Sequence, residues 1–495
     1  MTDRLWEQIK RQEDVRAALS ALREEIKEES KRRHVKELAG EGADLIPFLS
    51  WGDAKARKNA AALIGGLSIE HAAEAIYSAY QNEQTLFVRP VLLKALGQTD
   101  PYPYLQELRE QYDLLCSREI REEEKKHIRE EIRVLGQILR KEGEAARHTF
   151  TGWNQKAAVL LTARPAFAEL LSGQIAAGRK QIHPLGVQAV TEDFREIIKI
   201  RTFRDLLFPI RLAEKVRYCD GPEALGNALA DAKLVSLLER FHKEPAPFYF
   251  RFDLKGGVSL EERSRYLKRA AYVLEEKSAR KLINAPEDYE YELRLILDKT
   301  ENIHVFLKMF TIPMERFSYR KETVAASIHP SLAASLFALC RPYLKKNAQI
   351  LDPCCGAGTM LVERHKILPA REIYGIDIFG EAVAKAKENV KAAGMHVNFI
   401  NRDYLDFKHS CPFDEIIANL PIRGKRTKEE QDAFYRGFFD KSQELLALGG
   451  IMLLYSNENG FVKKQLRLHP AFGLRMEYPV SKQDSFYVYV IEKYK

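Results

Sequence analysis

Apolar and polar positions follow three different patterns along the chain. Through residues 1 to about 145, apolar residues recur every three or four positions among Glu, Lys, Arg and Ala, with almost no β-branched clusters, which predicts helices throughout. From RHTFTGWNQKAAVLLTARP (147–165) onward, strands alternate with helices. PFYFRFDLKG (247–256) and YEYELRLILDKTENIHVFLKMF (289–310) alternate aromatic or apolar with charged residues, as half-buried antiparallel strands do. Between them, SLEERSRYLKRAAYVLEEKSARKLI (259–283) has helical spacing among many Arg and Lys. From about Ser327 the short apolar runs AQILD (348–352), EIYGID (372–377), HVNFI (396–400), DEIIAN (414–419) and GIMLLYS (450–456) are separated by helical segments. This series predicts a mostly parallel sheet with helices on both faces. FGLRMEYPV followed by SFYVYVIEKY predicts a closing antiparallel hairpin.

Within the helical part a pattern recurs. DAKARKNAAALIGGL (53–67) and TLFVRPVLLKALGQ (85–98) superpose Arg57 on Arg89, Ile64 on Leu96 and Gly65 on Gly97. Weaker echoes lie at 13–26 and 128–141. An offset of roughly thirty to forty residues between helical units is the mark of an α-solenoid, and the pattern resembles HEAT-type repeats. A plain helical bundle is the alternative, and in either case the segment reads as a docking module with a possible protein partner.

At 495 residues the chain is long enough for two to four domains. With 45% hydrophobic and 30% charged residues it has the composition of a folded protein. The opening MTDRLWEQIKRQED lacks an apolar h-region, and no stretch approaches the roughly 18 to 20 apolar residues of a membrane span, so a cytoplasmic protein is expected. The six cysteines form no Cys-x-x-Cys, and the twelve histidines never join them at ligand spacing, which argues against a metal site or a disulfide framework. A net charge of +8 and a pI near 8.9 suggest a polyanionic partner.

The chemistry gathers at the strand ends. In a doubly wound sheet ligands bind beyond the carboxyl ends of the strands, where Asp352, Asp377, Asp403 and Asn419 stand. In LDPCCGAGTM (351–360), Gly356 and Gly358 precede a helix opening at Thr359, so a ligand can approach the backbone and the helix N-terminus. Asp377 suits two ribose hydroxyls. This much also fits a dinucleotide enzyme. NLPIRG (419–424) narrows the choice: an amide oxygen on Asn419 and the carbonyl before or at Pro421 can accept from an exocyclic amine and orient its lone pair, while proline keeps the turn stiff. Cys354 and Cys355 occupy loop positions where small residues fit, and adjacent cysteines are poorly placed for an unstrained disulfide.

Taken together, DPCCGAG, GID (375–377), RDYLDF (402–407) and NLPIRG resemble the motifs of S-adenosylmethionine-dependent methyltransferases of the Rossmann class, over about 170 residues. The stretch SYRKETVAASIHPSLAASLFALC (318–340) is similar to the segment that precedes the first strand in THUMP-containing RNA guanine-N2 methyltransferases. The resemblance implies a cofactor site of His329, Asp352, Cys354, Gly356, Gly358, Thr359, Asp377, Ile378, Asp403, Tyr404 and Asn419, with Asn419 and Pro421 receiving the amine. It implies a multidomain protein: HEAT-like helices over 1–145, a ferredoxin-like and THUMP-like α+β module over 146–317, and a Rossmann-like domain with a seven-stranded mixed sheet over 318–495. The expected activity is methylation of guanosine N2 in RNA, tRNA ahead of rRNA. An adenine-N6 methyltransferase and a non-catalytic RNA-binding adaptor are the alternatives. Ile422 departs from the family pattern, standing where an aromatic residue stacks on the base; Arg423, Phe434 or Tyr435 are the expected substitutes. Arg423, Lys425, Arg426 and Lys428 are expected on RNA phosphates.

Overall fold

A computed structural model describes residues 2–118, 120–121, 123–141, 148–176, 178–325 and 327–495. The boundary expected between residues 145 and 146 lies outside them. The chain forms two compact units. One comprises Met1–Thr149, Asp220–Phe252 and Ser259–Glu290; the other comprises Phe150–Cys219, Asp253–Val258 and Tyr291–Lys495.

The first unit opens with helices α1 (Thr2–Lys10), α2 (Val15–Glu25), α3 (Glu29–Leu38), α4 (Ala54–Gly66), α5 (Ala73–Asn82), α6 (Arg89–Leu96), α7 (Leu105–Ser117) and α8 (Lys125–Lys141). Asp53 caps α4 by accepting from the Ala56 amide at 2.8 Å. The two matched sequence segments behave alike in space. Arg57 holds Glu83 through Nε and a second nitrogen at 2.7 and 2.9 Å and also donates to the Trp51 carbonyl. Arg89 reaches Glu131 at 2.9 Å and donates to the carbonyls of Tyr80 and Glu83. A Cβ on Gly65 would lie 2.8 Å from Ala95 Cα, and one on Gly97 would lie 2.9 Å from Ile138 Cγ1. In each segment, then, a small residue lets the next helix but one close in and an arginine neutralises a buried carboxylate.

The second unit begins with β1 (Ala157–Thr162), α9 (Ala168–Gln174), β2 (Lys180–His183), β3 (Gly186–Thr191), α10 (Phe194–Ile197) and β4 (Leu206–Ile210). Helices α11 (Pro222–Asp231) and α12 (Leu234–Phe241) return to the first unit. There Phe248–Phe250 of β5 (Phe248–Lys255) pair in parallel with β6 (Leu282–Asn284), and α13 (Leu260–Lys277) lies between them in sequence, capped by Ser259. In the second unit β7 (Tyr291–Leu297) and β8 (Ile303–Met309) form the expected antiparallel pair, with Tyr291 opposite Met309. β8 continues through β4, β1 and β3 to β2, each neighbour antiparallel.

The same unit continues with α14 (Pro330–Cys340), β9 (Gln349–Asp352), α15 (Thr359–Ile367), β10 (Glu372–Asp377), α16 (Gly380–Ala392), β11 (Asn398–Asn401), β12 (Phe413–Asn419), α17 (Lys428–Leu445), β13 (Leu446–Ser456), α18 (Asn459–Leu468), β14 (Phe472–Ser481) and β15 (Phe486–Lys493). The strand order is β11-β10-β9-β12-β13-β15-β14. The first five run parallel, and the closing hairpin is antiparallel. Successive residues of β9 serve opposite cores: Ile350 packs with Phe337 of α14 and Met360 of α15, and Leu351 with Phe438 of α17. Residues buried on both faces read as the continuous apolar runs seen in the sequence. β10 and β11 lie on one side of β9 and β12 on the other, so strand order reverses between β9 and β12. Asp352 and Asn419 end those two strands.

Candidate functional site

The glycine loop leaves β9 at Asp352 and enters α15 at Thr359. Gly356 and Gly358 take φ of +53° and +78°, which a side chain would strain. Three bonds fix the turn: Gly358 N to Cys355 O at 2.8 Å, Cys355 N to Ile376 O at 2.9 Å, and Gly356 N to Asp377 Oδ2 at 2.9 Å. Asp377 also accepts from Phe379 N at 3.0 Å, so its carboxylate is aimed by two amides. Ile378 and Phe379, beside it, are 56% and 68% exposed, a large apolar surface next to a carboxylate.

Asp352 is buried. Its Oδ1 accepts from Cys354 N at 3.1 Å, while Oδ2 has no partner among the described residues. Burial, with the Asp377 charge nearby, pushes its carboxyl up to about 8. The Thr359 hydroxyl is likewise buried and without a partner among the described residues. Burial pushes the thiols of Cys354 and Cys355 well above the ordinary thiol range, so neither is a poised thiolate. The Cys354 Sγ points instead at the Asn419 carbonyl oxygen, 3.6 Å away, and joins the glycine loop to the end of β12.

At that end the half-buried Asn419 side-chain amide makes no hydrogen bond among the described residues, nor do the carbonyls of Leu420 and Pro421 accept one. Leu420 N is tied to Tyr455 O at 3.0 Å, which fixes the strand just where its acceptors become free. Ile422 is 57% exposed. Arg423, Lys425, Arg426 and Lys428 are exposed, with Gly424 turning the loop at φ +59°. The Arg426 guanidinium lies 5.1 Å over the half-buried Phe434 ring. Tyr435 is not available to stack on a ligand: it is fully buried and its hydroxyl bonds Ser456 Oγ at 2.7 Å, because this face of α17 is core. Tyr404 is buried with its hydroxyl 3.0 Å from Ser442 Oγ, whereas Asp403 is exposed and caps the turn through Leu405 N. His329 caps α14 through Ser331 N, and burial together with Arg204 and Arg320 holds its imidazole down to about 4.

Sequence reasoning missed two supports of the loop. Asn389 of α16, fully buried, donates to Ala357 O and to Glu322 O and accepts from Glu322 N, each at 2.9 Å, clasping the incoming segment to the glycine loop. Glu363 of α15, equally buried, takes Arg201 through two bonds at 2.9 and 2.8 Å and the Tyr319 hydroxyl at 2.6 Å. A polar residue on the apolar face of a predicted helix was the available signal in both cases.

Residues 318–480 match the family described as UPF0020, RMKL-like methyltransferase domain. Among curated proteins the chain is 27% identical over 172 residues to the mouse (Mus musculus) U6 snRNA (guanine-N(2))-methyltransferase THUMPD2, covering 32% of each chain. It is 25% identical over 179 residues to the tRNA (guanine(10)-N2)-dimethyltransferase of Methanothermobacter thermautotrophicus, covering 34% of this chain and 53% of that one. The matches thus span about a third to a half of these relatives' length. Among solved structures, SMU.472, solved in complex with SAH, superposes with a TM-score of 0.51 at 15% identity, covering 68% of this chain and 98% of that one, which shows a shared fold.

Proposed function

We propose that the protein transfers the methyl group of S-adenosylmethionine to the exocyclic N2 of a guanosine in RNA, tRNA being the favoured substrate and rRNA the next. The observation that carries this reading is the set of free acceptors at the end of β12: the Asn419 amide oxygen and the carbonyls at 420 and 421, beside the glycine loop. An amine donating both hydrogens to such acceptors presents its lone pair away from them, and positioning alone supplies much of the rate. No general base is assigned. The printed activities of the two guanine-N2 methyltransferases support the choice of guanine.

The residues fit the cofactor. The unpartnered Asp352 Oδ2 and its raised carboxyl suit a ligand carrying positive charge, and the backbone of Gly356 and Gly358 leaves room at the turn. When bound, S-adenosylmethionine supplies an electrophilic methyl on a sulfonium. Asp377 would take the ribose hydroxyls, Asp403 in the 402–407 segment the adenine, and Ile378, Thr359 and Cys354 would line the remainder; His329 would act through the capped start of α14. Tyr404, with its hydroxyl engaged, would contribute a ring edge only.

Arg423, Lys425 and Arg426 would hold phosphates next to the target base, with Arg423 or Phe434 in the stacking place that Ile422 leaves open. In this reading the chain divides at 145/146 and 317/318 into HEAT-like, THUMP-like and Rossmann-like parts, the first docking a protein partner, and it works in the cytoplasm with its six cysteines unpaired. Among the described residues no helix is long and apolar enough to cross a membrane. The test is transfer of labelled methyl groups to bulk tRNA, rRNA and DNA, followed by nucleoside analysis. N2-methylguanosine in RNA is expected. N6-methyladenosine would replace the base assignment, and no label with cofactor binding intact would favour the RNA-binding adaptor.

A further inference from the structure

Four arginines of the second unit stand beside this pocket without a carboxylate partner. Arg164, Arg204, Arg316 and Arg320 form no salt bridge among the described residues, while the nearby carboxylates are engaged: Asp205 by Arg294 and Lys308, and Glu363 by Arg201. The Arg316 guanidinium is fixed between the rings of Phe203 and Phe317, at 3.6 and 4.7 Å, and donates to the carbonyls of Ile200 and Arg204. Burial and Arg201 hold it down to about 9, against the opposing pull of Asp205 and Glu363. Arg320 has a buried Nε with no partner among the described residues.

Their place is beside the pocket. Arg164 follows the end of β1, two residues after Thr162, whose carbonyl accepts from Arg204 N at 2.7 Å, and two residues before Ala166, whose carbonyl takes the Tyr478 hydroxyl of β14 at 2.6 Å. Phe317, under the Arg316 guanidinium that also bonds the Arg204 carbonyl, meets the ring of His329, the cap of α14, edge-on at 6.1 Å. The segment carrying Arg316 and Arg320 goes on to Glu322, clasped by Asn389, and to Val324, whose Cγ2 lies 3.6 Å from where a Gly356 Cβ would stand. The two exposed members, Arg164 and Arg204, come from loops outside the Rossmann-like domain. Charge is also unevenly spread along the chain. Residues 1–145 hold 24 Lys and Arg against 27 Asp and Glu, whereas residues 146–495 hold 54 against 43.

We infer that Arg164, Arg204, Arg316 and Arg320 form a phosphate-binding site for the backbone of the RNA whose base enters the pocket, separate from the Arg423–Arg426 loop. The inference rests on the proposal that the substrate is RNA. Arg164 and Arg204 touch the phosphates, and Arg316 and Arg320 supply fixed charge behind them.

The test is the affinity of the full chain for bulk tRNA as a function of salt, alongside its affinity for S-adenosylhomocysteine. Each phosphate contact contributes about 0.9 to the slope of log K against log salt on a B-form duplex and about 0.7 on single strands. Arg164→Ala and Arg204→Ala should each lower the slope by about that much, Arg204→Lys should restore it, and S-adenosylhomocysteine affinity should not change. Unchanged tRNA affinity and slope in both variants would overturn the site, as would a wild-type chain with no salt-dependent tRNA affinity. Loss confined to S-adenosylhomocysteine would overturn it too, by assigning the arginines to the cofactor. Because binding is read without turnover, failure of the methyl-transfer proposal is scored separately.

Discussion

The helical start of the chain and the strand ends at β9 and β12 treat buried carboxylates in opposite ways. In the helical part each buried carboxylate at a repeat position is matched: Glu83 by Arg57 and Glu131 by Arg89, with side chains 4% and 1% exposed. At the strand ends the groups are left over: Asp352 Oδ2, the Thr359 hydroxyl and the Asn419 amide. Buried polar atoms without partners are costly, and a fold keeps them where a ligand satisfies them. A carboxylate matched by an arginine thus holds the architecture together, whereas the unmatched Asp352 belongs to the candidate site.

The largest expected effect breaks the matched side. Arg89→Ala leaves Glu131 buried without its cation, which should cost about 3 to 5 kcal/mol in a chemical denaturation experiment. Methyl transfer per folded molecule should stay the same. Loss of transfer with stability intact would place Arg89 in the chemistry and erase the distinction.

Next in size, Asp377→Ala removes a carboxylate already oriented by Gly356 N and Phe379 N. Cofactor affinity should fall by about 1.5 to 3 kcal/mol, as for hydrogen bonds to a charged group, in a calorimetric titration. Unchanged affinity would remove Asp377 from the ribose site.

The last effect is a slope rather than a loss at one pH. The folded-state carboxyl of Asp352 lies near 8, above its ordinary 3.8, so the folded chain holds a proton that the unfolded chain releases across that interval. The stability this contributes is complete below the lower value and is lost as pH rises through the upper one. Asp352→Asn should therefore flatten the fall of stability between about pH 4 and 8, by at most about 1.4 kcal/mol per pH unit. Parallel curves for the two proteins would show that Asp352 keeps its ordinary acidity.

Much of this was legible in the sequence because it is local. The apolar runs ending at Asp352, Asp377 and Asn419 are strands with those ends. The superposition of Arg57 on Arg89 and Gly65 on Gly97 anticipated equivalent packing roles. What stayed hidden depends on partners far along the chain. Asn389 clasps residues 67 and 32 positions away, and Arg201 meets Glu363 across 162. No periodicity records such pairs. β13 starts at Leu446, ahead of the expected Gly450, because Gly449 at φ +69° breaks the apolar alternation without ending the strand. Tyr435 looked available for stacking because helical spacing alone does not say which face of α17 is buried.

The most direct test compares Asn419→Ala with the wild-type chain for methyl transfer to tRNA, cofactor affinity and melting temperature together. Removing one oriented acceptor should lower transfer about 10²- to 10³-fold, the scale set by losing one preorganised hydrogen-bonding group at a reacting centre, with cofactor affinity and melting temperature unchanged. Transfer at the wild-type rate, or loss of cofactor binding in step with transfer, would contradict the assignment of Asn419 to the amine.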